Sequence, residues 1–155
     1  EAVLRPQGAR ALRELAAVLA RTLPCYSKAS AVQQVDCPIG PELLLEAVLV
    51  EGHTDDVPIS TSQFPDNWEL ASVRAINTYK ALIGYETTLE ELQNGRGEAL
   101  LGVSGYEARR PVADGVTDEA RRVNRRIDLR FLGRGPDAGA LADLLATLET
   151  SLAPR

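Results

Sequence analysis

Side chains on which most enzyme and metal chemistry depends are scarce in this chain: 155 residues include one histidine, two cysteines and one tryptophan. Two thiols and His53 fall one short of the four ligands of a structural zinc site, and no C-x-x-C spacing is present. Asp55 and Asp56 stand beside His53, but no G-x-S-x-G elbow accompanies them, so a nucleophile–base triad has no sequence support. Asp55, Asp56 and Glu69 supply carboxylates that glycoside hydrolysis would need, as almost any acidic loop does. Nothing calls for a metal or other cofactor. No apolar run approaches the length of a bilayer span, and no signal peptide, internal repeat or low-complexity tract is visible. The formal net charge of −5 and the lack of aromatics among the arginines argue against nucleic acid as a partner.

What is present reads as one domain with its own core: 45% of residues are apolar and 25% charged. Spacings of three and four among Leu12, Leu15, Ala16, Leu19, Ala20 and Leu23 predict a helix from about Gln7 to Leu23, which Pro24 ends. An apolar run from Leu43 to Val50 predicts a strand closing at Gly52, followed by the polar GHTDD and a loop in which Pro58 and Pro65 forbid regular structure. Asp66 or Asn67 then caps a second helix, with Leu70, Val73, Ile76 or Asn77, and Leu82 on one face and Gly84 at its end. This arrangement sets Asp55 at a strand end and Arg74 a turn into a helix, opposite charges over one shared pocket. Thr88 and Glu91 have capping-box spacing for a short helix, Ala99 to Val103 reads as a short buried strand, and Ile127, Leu129 and Phe131 alternate in a last strand that buries one face. Eight arginines between Arg109 and Arg134 face four acids, which leaves +4 there and −9 elsewhere.

GHTD, NWELASVRA, SGYEARRPV and TDEARRVNRRIDLRF occur in order, and together they resemble the motif set of OmpA-like peptidoglycan-binding domains. The loop DVPISTSQFPDNWEL is most similar to that of MotB-type stator subunits of flagellar and related motors. The resemblance runs from about Arg5 to Leu132 and implies an α+β fold, an OmpA-like two-layer sandwich with helices packed on one face of a small mixed sheet. It also implies a noncatalytic domain that grips the diaminopimelate of the cell-wall stem peptide, as the periplasmic part of an inner-membrane protein. On the matching positions, Asp55 meets the ammonium of diaminopimelate, Arg74 meets its carboxylate, Arg125 approaches the ligand carboxylates, and Asn67 offers a further bond or else caps the helix. Thr54, Leu70 and Arg121 lie close by, Arg121 and Arg126 pairing with acids or carbonyls to dock a short helix. The implied partners are peptidoglycan, a second copy of the chain, and a membrane-embedded ion-channel subunit reached through an upstream part that is missing here. One departure is Glu107, where the family's G-Y-G-E-x-x-P loop carries its second glycine.

Alternatives remain beside this reading. Asp55 and Arg74 can be a plain ion pair that pins loop to helix, His53 a packed neighbour of the pocket, and Trp68 either a packed anchor or a platform for wall glycan. The domain is expected to span 1–132, with an insertion at about 24–41, PCYSKASAVQQVDCPIGPE, bracketed by Cys25 and Cys37. A disulfide closing that insertion in an oxidising compartment is expected over two buried thiols. Residues 133–155 read as a linker followed by an amphipathic helix marked by Leu141, Leu144, Leu145, Leu148 and Leu152, which packs back, joins a partner or pairs with its own copy. The family opens with a strand, of which only EAVL precedes Arg5 here, so part of that strand is expected to lie upstream. A wall-modifying hydrolase, or a scaffold of the same fold that has lost its ligand, is the competing function.

Overall fold

The computed structural model describes residues 6–28, 37 and 45–133. The expected opening strand, most of the insertion and the C-terminal helix lie outside the described residues.

Helix α1 (Pro6–Thr22) is followed by a single 3-10 turn, Leu23–Tyr26. Strand β1 (Leu45–Gly52) runs through the centre of the sheet, and helix α2 (Asn67–Tyr85) and the short α3 (Thr88–Glu91) follow it. Strand β2 (Leu101–Gly105) pairs with β1 in parallel, so β1, α2 and β2 make one crossover unit. Helix α4 (Asp118–Asn124) then leads into β3 (Ile127–Gly133), antiparallel to β1 on its other side. The strand order is β2-β1-β3, a small mixed sheet with the core on its helical side. Ala16, Leu19 and Leu23 from the first helix and its turn meet Val48 and Val50 of β1 and Ala75 and Leu82 of α2 there, as the α+β reading expects.

The buried face of α2 differs from the expected stripe. Asn67, Ala71, Ala75, Thr78 and Leu82 are buried, while Leu70, Val73 and Ile76 are only half-buried. The cause is close approach of helix to sheet. A Cβ built on Gly52 would lie 2.0 Å from the Ala71 carbonyl oxygen, and one on Gly105 would lie 2.5 Å from Ser72 Oγ. Backbones this near admit only alanine and hydroxyl side chains between them, and the larger residues turn aside. Asp66, not Asn67, caps the helix by accepting from the Glu69 amide at 2.9 Å. Gly84 lies inside the helix, which runs on to Tyr85, and Thr87 flanks α3 without a side-chain cap.

Two strands differ from expectation as well. β2 begins two residues later than the apolar run suggested and leaves Val103 exposed at the sheet edge. On β3, Phe131 is 51% and Ile127 37% exposed, so its apolar face is not buried among the described residues. Leu129 and Phe131 instead line an apolar groove of about 440 Å³ with Leu15, Val18, Leu23 and Tyr26. Alternation marks which residues share a face of a strand, and it does not say what covers that face. Cys25 and Cys37 are joined by a disulfide, with Cα atoms 5.4 Å apart.

Candidate functional site

The loop leaving β1 is tied down on both sides before it reaches the cleft. Tyr106 donates its amide to the Gly52 carbonyl (3.0 Å), His53 donates to that of Arg126 (3.0 Å), and Thr54 donates to that of Glu107 (2.9 Å). Glu107 adopts φ 54°, the one non-glycine residue at positive φ among the described residues. The loop thus keeps the left-handed turn that glycine would take freely, at a cost of about 1–2 kcal/mol for a residue with a Cβ.

Beyond this anchor, Asp55, Asn67, Leu70, Arg74, Arg121 and Arg125 line one cleft of about 390 Å³, together with Asp118. The strand end supplies Asp55, α2 supplies Asn67, Leu70 and Arg74, and α4 with its C-cap supplies Asp118, Arg121 and Arg125. Thr54 lies apart from the cleft, in a neighbouring recess of about 230 Å³ that shares Asp55.

Pairing within the cleft differs from a simple Asp55–Arg74 bridge. Arg125 Nη1 donates to Asp55 Oδ2 at 2.5 Å, and Asp55 Oδ1 accepts from the Val57 amide at 3.2 Å. Arg121 Nε donates to Asp56 Oδ1 at 2.9 Å, and that bond holds the Asp56 carboxyl below its usual range. Asn67 is buried and donates to the carbonyls of Val57 (3.0 Å) and Asp55 (3.5 Å), so its amide shapes the loop. Arg74 makes no ion pair among the described residues. Its half-burial pulls its affinity for a proton below the ordinary arginine value, Asp55 works against that, and the Arg125 charge adds to it. A guanidinium in this position is desolvated without a partner, an unfavourable state unless an anion arrives.

A polar cluster forms around Glu51, a residue not marked out by the sequence, and takes in His53 and Arg126. Glu51, 1% exposed, accepts from Arg130 Nε and Nη2 at 2.7 and 3.1 Å, with Arg110 at 3.6 Å. An acid next to the closing glycine of a largely apolar strand was the available signal, weakened by Glu46 in the same strand. His53, equally buried, stacks on Tyr106 with ring centroids 5.6 Å apart, and the Arg110 guanidinium lies over the Tyr106 ring, 3.5 Å from its centroid. Its Nε2 lies 3.3 Å from Asp128 Oδ2 and 4.0 Å from Glu51 Oε2, and neither ring nitrogen makes an aligned hydrogen bond among the described residues. Burial is the first cause that lowers its pKa, with Arg126 second. A ring so enclosed does not present a base at the cleft. Asn124 accepts from the Val112 and Ala113 amides (2.9 and 3.1 Å) and donates to the Ala113 carbonyl (2.9 Å). Arg126 donates to Asp128 and to the Arg110 carbonyl, the docking role expected of it. Trp68 is not a core anchor: it is 42% exposed, with the Arg109 guanidinium 5.3 Å from its ring centroid.

A β-α-β crossover closed by an antiparallel strand is the fold that this chain shares with the periplasmic domain of Helicobacter pylori MotB. No family model matches the chain. It is 36% identical over 89 residues to Motility protein B of Bacillus subtilis, an alignment covering 57% of this chain and 31% of that protein. The C-terminal domain of Helicobacter pylori MotB superposes with a TM-score of 0.57 at 21% identity, covering 97% of this chain and 90% of that one. The cell wall anchor of the T6SS from Pseudomonas aeruginosa superposes with a TM-score of 0.59 at 24% identity, covering 86% and 72%. The chain spans about a third of the length of the curated relatives it matches.

Proposed function

We propose that this domain binds peptidoglycan without catalysis, through diaminopimelate of the stem peptide, and so anchors a stator-like membrane complex to the cell wall. The observation that carries the reading is Arg74, a half-buried guanidinium with no ion pair among the described residues, lining a cleft shared with Asp55. Three guanidiniums, Arg74, Arg121 and Arg125, line the cleft with the carboxylates of Asp55 and Asp118, and Asp56 of the neighbouring recess offsets the third charge by pairing with Arg121. A balanced site of this kind suits a zwitterion better than a plain anion or cation. The end of a diaminopimelate side chain is one: an ammonium and a carboxylate on the same carbon. Asp55 takes the ammonium, Arg74 takes the carboxylate through its planar fork, and Arg125 holds Asp55 in place. Lysine lacks the carboxylate and would leave Arg74 desolvated and unpaired.

The similarity to Motility protein B and to a T6SS cell wall anchor supports the anchoring role. On this reading residues 1–132 are the wall-binding domain in the periplasm, and an upstream part connects it to the inner membrane and an ion-channel subunit. The active unit is a homodimer, to which the leucine stripe of residues 141–152 contributes. Light scattering at high protein concentration is expected to report a dimer that weakens when residues 136–155 are removed, and monomer under both conditions refutes the dimer.

Sedimentation with purified sacculi tests the site. Each charge-assisted bond is worth about 1.5–3 kcal/mol, so Asp55→Ala and Arg74→Ala are each expected to lower binding by at least about tenfold. Arg74→Lys keeps the charge, loses the fork and weakens binding as well. Arg74→Ala is expected to leave the urea midpoint nearly unchanged, because no described partner is stranded. A structural pair would instead cost about 3–5 kcal/mol on truncation. Alanine variants that sediment with sacculi as the parent does would show that the cleft is not the wall site.

A further inference from the structure

We infer that Asp118 is a second carboxylate for the ligand's ammonium, a specificity residue of the cleft; the inference rests on the diaminopimelate reading above. An ammonium carries three N–H donors, and a desolvated one needs acceptors for them. Asp55 supplies at most two of these, because a carboxylate has about four acceptor positions and its Oδ2 already accepts from Arg125 and its Oδ1 from the Val57 amide. Asp56 is bound by Arg121. Among the carboxylates at the cleft, Asp118 is the one without an ion pair among the described residues, and it lines the same cavity as Arg74 and Asp55.

Two of the cleft's three guanidiniums are thus consumed by two carboxylates, and one of each sign is left over, Arg74 on α2 and Asp118 at the start of α4. These are the complementary charges that a group bearing one anion and one cation meets. The helix start has its own reason to carry an acid, since Asp118 lies in the first turn of α4. That role does not depend on ligand, so it is separable by experiment. Thr117 supplies the α4 cap by accepting from the Ala120 amide at 3.2 Å, so replacing the Asp118 carboxylate leaves the cap in place.

The probe is the disaccharide tripeptide of a diaminopimelate wall, whose one free amine is that of diaminopimelate, and the same compound after acetylation of that amine. NMR titration of both against the parent, Asp118→Asn and Asp118→Glu reads even millimolar affinities. Asp118 is exposed, so its loss is expected to weaken binding of the free-amine ligand about fivefold. The acetylated ligand loses no more in Asp118→Asn than in the parent, and Asp118→Glu recovers most of the affinity. Equal affinity of parent and Asp118→Asn for the free-amine ligand overturns the inference. So does an equal loss for both ligands, which marks a general electrostatic effect. A parent that binds neither compound removes the diaminopimelate reading and this inference with it, whereas a binding parent beside an indifferent variant removes Asp118 alone.

Discussion

Asp55 and Arg74 were legible as opposite charges over one cleft because both sit in short motifs whose local structure the sequence states: a strand closing at glycine, and a helix opening after proline and aspartate. Their pairing was not legible. Arg125 is 70 residues from Asp55 and reaches it through the end of α4, so only the fold decides that it, and not Arg74, takes the carboxylate. His53 shows the same limit, since its neighbours Glu51, Asp128, Arg110 and Arg126 come from three segments. Its pH behaviour follows from that enclosure. Burial lowers its folded pKa below the ordinary value of 6.5, so the folded state favours the neutral ring. Stability from this source is complete above about pH 6.5 and is lost as pH falls toward the folded value, by up to about 1.4 kcal/mol per pH unit. Urea unfolding between pH 7 and pH 5 is expected to show the loss, and His53→Gln to flatten it. Asp56, Glu98 and Glu119, whose carboxyls are held low by arginine hydrogen bonds, add their own losses only below their ordinary values near 4.

At the scale of elements, α1 was legible in the face it turns inward: of the predicted stripe, Ala16 and Leu19 are buried, Leu12, Leu15 and Ala20 partly so, and Leu23 is buried in the turn that follows. Helix α2 was legible as a helix but not in its orientation. Large apolar residues at Leu70, Val73 and Ile76 suggested a face that the structure turns partly outward, and the small residues Ala71 and Ala75 lie inward instead. The deciding contact is between Gly52 and the α2 backbone. Gly52→Ala would place a methyl 2.0 Å from the Ala71 carbonyl oxygen, where backbone on both sides prevents relief by a side-chain rotation. Overpacking of this kind is expected to cost about 1–3 kcal/mol or more in urea denaturation and to displace the N-terminal half of α2 with Asn67 and Arg74. A midpoint equal to the parent's would show that the helix sits farther from the sheet than 2.0 Å implies. Gly84→Ala, open to solvent with no atom within 4 Å, is the matched control and is expected to be neutral or stabilising.

For the molecule as a whole, the disulfide links the turn after α1 to the inserted segment, across a separation of 12 residues. On the chain-entropy account, closing a loop of that size stabilises the fold by about 2–3 kcal/mol. Reduction is therefore expected to add two hydrogens to the intact mass and to lower the thermal midpoint, while the cleft, built from the other end of the sheet, keeps its affinity. An unchanged mass, or thiols that label in the untreated protein, would refute the bond. The sequence by itself determined the element order, the α+β class, the cysteine bracket and the motif positions, since each rests on local periodicity, on glycine and proline, or on residue types at fixed spacing. Tertiary structure alone decided which helix face meets the sheet, which carboxylate each arginine takes, why Glu51 and His53 are buried, and that Arg74 and Asp118 are left over. Those outcomes depend on distances between segments far apart in the chain, and such distances are set only when the core between α1, α2 and β1 has packed.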